Sequence, residues 1–300
     1  MDDAPLDAAL VLSKCRFFAE VGVWPLRSRL NPQGWLDNFT EQERPHAIHM
    51  LDIFMYFNGY LVDAMFAGAV QNVSRHRHEG RTSATRERAS WREFLSAVIV
   101  CPVRGEEPRE TDSGILFARM ARDSLGIPET NILDPEDSIR HLFTGSHREI
   151  IFVDDFVGSG NQFIETWYRE ASVANLCDYS FADLARDPGL TFYYCPLICT
   201  AMGFESIRRE CPQVQLLPAH TLSARYNLLA PDCVLWPPAL LPSARAMIEE
   251  ASLRAGIPLA DIGGFADQGL CLAFAHGTPD ETLPLFTWET GTWKPLIRKG

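Results

Sequence analysis

The stretch Ile150-Ile151-Phe152-Val153-Asp154-Asp155-Phe156-Val157-Gly158-Ser159-Gly160 constrains this chain more than any other. Its opening run of apolar residues has the pattern of a strand buried on both faces of a parallel sheet. Two adjacent carboxylates then stand at the strand's carboxyl end, a Gly-Ser-Gly loop follows, and Asn161 to Glu170 can continue as a helix. Ligands of open α/β sheets collect outside the carboxyl ends of the strands. A glycine-rich turn into a helix N-terminus offers backbone N–H groups and the positive end of the helix dipole, which suits a phosphate. Adjacent carboxylates at that place can accept hydrogen bonds from paired ribose hydroxyls or hold a divalent cation. The plainer alternative is a buried strand whose Asp154 and Asp155 merely cap a turn and a helix.

The flanking sequence supports an α/β core. Phe94 to Val100 is a second apolar run, expected to be the first central strand, and Ile115 to Leu125 has helical spacing up to a Gly126-Ile127-Pro128 stop. Thr191 to Thr200 is a further buried-strand pattern, with Pro196 pointing to an edge position or a bulge, and Val214 to Leu217 is one more strand. These alternating units predict an α/β fold, a parallel doubly wound sheet over residues 91–220. Before it, residues 1–90 form an expected N-terminal helical region, with a Thr40-Glu41-Gln42-Glu43 capping box ahead of one long helical stretch from Arg44 to Val73. After it, residues 221–300 form an expected C-terminal α+β extension packing on the core.

The formal net charge of −12 argues against a surface coated in phosphate-binding cations. One basic run stands out against it: Arg75, Arg77, Arg81, Arg86, Arg88 and Arg92. It is either a solvated loop or a contact to nucleic acid or an acidic partner. No apolar run is long enough for a membrane span, and the acidic start Met1-Asp2-Asp3-Ala4-Pro5 lacks the basic region of a secretory signal. The eight cysteines form no C-x-x-C pair, so the expectation is a cytoplasmic protein with neither a disulfide framework nor a zinc site.

Ile150–Gly160 resembles the phosphoribosyl-pyrophosphate (PRPP) signature of the type I phosphoribosyltransferases. The resemblance implies that Asp154 and Asp155 hold the ribose hydroxyls, with Mg2+, and that Gly158, Ser159, Gly160 and Asn161 hold the 5′-phosphate. The family's Thr-Thr-Gly-x-Thr loop is Gly158-Ser159-Gly160-Asn161-Gln162 here. Arg104 and Gly105 match the position of the family's pyrophosphate loop, and Glu106, Glu107 and Glu110 follow them. Those glutamates either bind Mg2+ or mark a decayed pyrophosphate half-site. Together with Trp35-Leu36-Asp37-Asn38-Phe39, Gly263 to Leu270 and His276 to Pro284, the signature makes the chain similar to phosphoribosyltransferase-like proteins of bacterial conflict systems. In outline these are similar to retron effectors encoded beside a reverse transcriptase. The resemblance implies a role in anti-phage defence, as a toxic effector restrained by a partner.

Three readings follow. The first is an enzyme on ribosyl phosphates, with His276 or Asp267 reaching in from the tail as acid or base. The second is a nucleotide-sensing module that keeps the pocket without transfer. The third is an interaction protein whose Arg75, Arg77 and Arg81 region docks RNA, DNA or a reverse transcriptase. An oligomer is possible under each.

Overall fold

The computed structural model describes residues 6–25, 29–78, 83–104, 113–145, 147–173 and 177–298. The chain begins with α1 (Ala8–Glu20), α2 (Pro32–Leu36), α3 (Arg44–Ile53) and β1 (Met55–Phe57). Next come α4 (Gly59–Arg77), α5 (Ala84–Ala97), β2 (Ile99–Pro102), α6 (Ser113–Leu125) and α7 (Pro135–Phe143). The middle continues through β3 (Glu149–Val157), α8 (Asn161–Tyr168), β4 (Ala171–Val173), β5 (Cys177–Tyr179) and α9 (Phe181–Leu184). The remainder is β6 (Thr191–Thr200), α10 (Ala201–Glu210), β7 (Val214–Leu216), β8 (His220–Leu222), α11 (Leu241–Ala255) and β9 (Leu272–Phe274). Among the described residues, no helix is long and apolar enough to cross a membrane.

These elements sort into two units, one of Met1–Val62 with Ser223–Gly300 and one of Asp63–Leu222. The expected boundaries lay at residues 90 and 220. Residues of the C-terminal tail share a core with the N-terminal helices. Residues 63–90, expected in the helical region, belong to the α/β unit.

The α/β unit carries the expected parallel sheet, in the order β2-β3-β6-β7, with β8 also on β6. Ile132 bridges Val100 in parallel on the other side of β2. The chain therefore leaves β2 in one direction and returns through α7 to β3 in the other, which makes the carboxyl ends of β2 and β3 a topological switch point. Alternation along the strands sends side chains to opposite faces. Ile150, Phe152, Phe192 and Tyr194 pack with Phe163, Trp167 and Phe181 of α8 and α9. On the other face, Tyr193 meets Phe94 of α5 edge-on, at 6.0 Å between ring centroids.

Two local expectations are corrected here. The first strand begins at Ile99, because α5 runs on to Ala97 and takes Phe94 as its one buried side chain. Pro196 lies in the interior of the sheet and not at its edge, paired with Asp154 of β3 on one side. Its carbonyl accepts from Ala219 N at 3.0 Å on the other side, at the break between β7 and β8. The N–H and C=O of one strand residue point the same way, so the donor that proline lacks faces a gap where Pro218 has already interrupted the neighbouring strand.

In the other unit, the helix expected from Arg44 to Val73 is interrupted by β1. Phe54 turns extended, at φ −61° and ψ 122°. Met55 to Phe57 then pair in parallel with Leu272 to Phe274 of β9. Fully buried Trp35 donates its indole N–H to Leu285 O at 2.8 Å and stacks on Phe286 at 5.3 Å. The Thr40–Glu43 box is reciprocal, with Thr40 N on Glu43 Oε2 at 2.8 Å and Glu43 N on Thr40 Oγ1 at 3.4 Å. Both Glu43 oxygens also take hydrogen bonds from the Arg254 guanidinium of α11, each at 2.6 Å.

Burial pushes the Glu43 carboxyl up, but the bonds from Arg254 and Thr40 outweigh it and hold the group below its usual range. A depressed carboxyl contributes stability above its unfolded pKa and loses it as pH falls through the folded value. Glu43→Gln should therefore destabilise the protein by roughly 1–3 kcal/mol at neutral pH. The difference from wild type should vanish below the ordinary carboxylate range, as read by urea unfolding at a series of pH values.

Candidate functional site

The two carboxyls at the end of β3 are unlike each other. Asp154 is 4% exposed, whereas Asp155 is half-buried. Asp154 Oδ2 accepts from the Tyr194 hydroxyl at 3.1 Å, and Oδ1 accepts from the Asp155 backbone N–H at 2.9 Å. Tyr194 is itself fixed by stacking on Phe163 of α8, at 4.0 Å between ring centroids. Burial first, and then the neighbouring Asp155 carboxyl, raise the pKa of Asp154 well above the usual carboxylate range. Burial and Asp154 together raise that of Tyr194. The site therefore pairs an internal carboxyl that favours its proton with a more accessible carboxyl beside it.

The loop after Asp155 is clamped from β6 and α10. Gly158 O accepts from Thr200 Oγ1 at 2.6 Å, and the same hydroxyl caps α10 by accepting from Gly203 N at 3.1 Å. A Cβ on Gly203 would lie 2.7 Å from both Gly158 O and Val157 Cγ1, so only glycine permits this approach. Gly160 sits at φ 87°, the left-handed region, as the N-cap residue of α8. Ser159 Oγ accepts from Asn161 N at 3.3 Å. The first amides of α8 have no partner within the helix, and they begin at exposed Asn161. Gly158, Ser159, Gly160 and Asn161 thus form a turn of fixed shape opening on a helix N-terminus.

Arg104 lies at the carboxyl end of β2, on the same side of the switch point. Its carbonyl accepts from Thr166 Oγ1 of α8 at 3.2 Å, and its guanidinium pairs with Asp134 at 2.5 Å. An anion reaching this guanidinium has to compete with Asp134. Gly105, with Glu106, Glu107 and Glu110, lies outside the described residues.

The remaining candidates lie on other elements. His276 belongs to the other unit, is exposed, and stacks on Phe274 at 5.2 Å. Among the described residues, no three or more His, Cys, Asp and Glu side chains come together as a metal-binding group. Within the basic run, Arg77 is built into the α/β unit, ion-paired to Glu149 and placed over the Phe94 ring at 4.3 Å. Arg75 is exposed and donates to Asn72 Oδ1 at 3.1 Å. Arg86, Arg88 and Arg92 are exposed on α5, while Arg81 lies outside the described residues. Sequence reasoning missed Tyr194, Thr200, Thr166 and Gly203. Only the Thr200 to Gly203 spacing carried a local signal, that of a helix cap.

A family model described as PRTase-CE matches residues 32–299. The chain belongs to the PRTase-CE family. The match takes in most of the residues of both units of this phosphoribosyltransferase-like PRTase-CE protein. A search of the curated proteins finds no match.

Two outcomes are expected at this site. Gly203→Ala should overpack the loop and cost about 1–3 kcal/mol in urea unfolding. Asp154→Asn removes a carboxyl whose folded pKa is raised, so the wild type alone loses stability as pH rises from its unfolded value, about 3.9, toward the folded one. The variant should gain on wild type across that range, and thermal unfolding at pH 4 and pH 8 would check the sign.

Proposed function

We propose that this PRTase-CE protein binds a phosphoribosyl compound at the carboxyl end of β3. The Asp155 carboxylate accepts the ribose hydroxyls, and the amides of the 158–161 turn and the start of α8 take the 5′-phosphate. The observation that carries this reading is the clamped turn. Gly158 is fixed through Thr200 and Gly203, and the turn opens on a helix N-terminus after Phe156 and Val157, which follow the half-buried Asp155 in β3. A preorganised turn of this kind suits an anion, because its donors need no rearrangement on binding.

If the bound ribosyl group is transferred, the chain's contribution is positioning of the ribosyl carbon and neutralisation of the departing pyrophosphate. Arg104 supplies that charge once it exchanges Asp134 for the ligand. Mg2+ fits as a companion of the ligand more than as a resident ion. Asp154 favours its proton, and magnesium is commonly held by one or two carboxylates plus substrate phosphates. When bound, it would neutralise pyrophosphate charge. A role for His276 as acid or base rests on the sequence resemblance alone.

The buried state of Asp154 favours a second reading, a nucleotide-sensing module that binds without transfer. Either fits an effector in an anti-phage defence system. A nucleic-acid or reverse-transcriptase partner would then meet the exposed arginines Arg75, Arg86, Arg88 and Arg92.

Calorimetric titration with PRPP and Mg2+, beside ribose 5-phosphate and ATP, tests the binding reading. The expected result is binding of a phosphoribosyl ligand that weakens at least about tenfold, roughly 1.4 kcal/mol, in Asp155→Asn. Absence of binding to all three ligands, or binding indifferent to Asp155→Asn, overturns it. Pyrophosphate release from bound PRPP then separates transfer from sensing.

A further inference from the structure

We infer a second ligand site in the unit of Met1–Val62 and Ser223–Gly300: a cleft of about 680 Å3 between residues 260–266 and 278–289 that takes a small organic cation, an ammonium or guanidinium group on an apolar stem. The inference stands apart from the phosphoribosyl reading, since the cleft uses none of the residues of the β3 site.

The two segments that line it are joined by their backbones. Phe265 N donates to Asp280 O at 2.7 Å, Leu270 N to Glu281 O at 3.0 Å, and Leu283 N back to Leu270 O at 2.9 Å. The approach is close enough that a Cβ on Gly264 would lie 2.6 Å from Asp280 O. Gly264 adopts φ 70° and ψ −167°, a conformation essentially confined to glycine, and Ala266 and Asp267 follow at φ 54°. The sequence elements involved are the two tail motifs, Gly263 to Leu270 and His276 to Pro284.

The walls and the charge determine what fits. Phe265 is 50% exposed at the cleft. Trp288 lines it with its ring held by an indole N–H bond to Ala255 O at 2.9 Å. Asp261, Asp280 and Glu289 also line it, and no lining residue is basic. Among the described residues, none of these three carboxylates is in an ion pair. Uncompensated carboxylates in a cleft concentrate a negative potential, which repels a phosphate and attracts a cation. Aromatic faces attract cations through the ring quadrupole and also cover an apolar stem. The volume lies within the roughly 300–1,000 Å3 span of small-molecule sites, far more than a bare metal ion needs.

The test is titration of the full chain with agmatine, with spermidine and with a short arginine-containing peptide, at low and high salt. Binding should weaken at least about tenfold in the double variant Asp261→Asn with Asp280→Asn, and also in Phe265→Ser. It should be unchanged in Glu250→Gln, an exposed acid of α11 outside the cleft. All substituted side chains are exposed, and circular dichroism would confirm that the variants remain folded. A preference for agmatine or spermidine identifies a free amine as the source, and a preference for the peptide identifies a side chain of a partner protein; either supports the site. No binding by any probe overturns the inference. So does equal weakening in Glu250→Gln, which would mean diffuse attraction to an acidic chain.

Discussion

The pairing of β3 with β6 is the interaction on which the α/β unit depends. It runs in parallel from Glu149 and Thr191 to Val157 and Cys199, the longest ladder of the sheet. Within it, β6 supplies both supports of the candidate site. Tyr194 reaches Asp154 from within the core, and Thr200 holds the carbonyl of Gly158 at the strand's end. The position of Asp155 and the shape of the following turn are thus set by a neighbouring strand more than by the loop's own sequence. A site fixed from rigid elements holds its donors in place more closely than one left to a loop.

That same pairing explains why two adjacent carboxyls come to differ. Asp154 is directed into a region packed by Phe163 and Tyr194, where an ionised carboxylate is strongly disfavoured unless several donors compensate it. Its partners are a phenol, one backbone amide and the Asp155 side chain, and the Asp155 carboxyl also disfavours a second charge beside it. Burial, with the neighbouring carboxyl, thus biases Asp154 toward its neutral form, which lowers the formal charge near the turn.

The part of this arrangement that was legible in the sequence is the part encoded locally. Ile150 to Gly160 carries its strand, its acidic pair and its turn within eleven consecutive residues; the strand and the turn form as the pattern indicates, while the strand runs past the acidic pair to Val157. The parts that were not legible depend on distant residues. Nothing near Met55 to Phe57 announces a strand; those residues leave the helical pattern because Leu272 to Phe274 offer them a ladder. Pro196 looked like an edge residue because its missing N–H matters only relative to its neighbour, and that neighbour is itself broken at Pro218. Tyr194 lies forty positions from Asp154, so its role could not be read from spacing along the chain. The core that the tail shares with Trp35, Phe39 and Phe54 is hidden for the same reason, since it joins residues as far apart as Trp35 and Leu285, 250 positions along the chain.

The two proposed sites would let one acidic chain serve ligands of opposite charge. At the end of β3, formal charge is reduced: Asp154 is biased toward its neutral form, Arg104 faces Asp134, and backbone dipoles of α8 provide the attraction for an anion. In the cleft beside Trp288, formal charge is left uncompensated, and three carboxylates stand without a paired base among the described residues. Backbone dipoles act only over the first turn of a helix, so the phosphate-suited site must be tightly clamped to work. Carboxylates act over several ångströms, screened chiefly by salt, so the cleft can remain open.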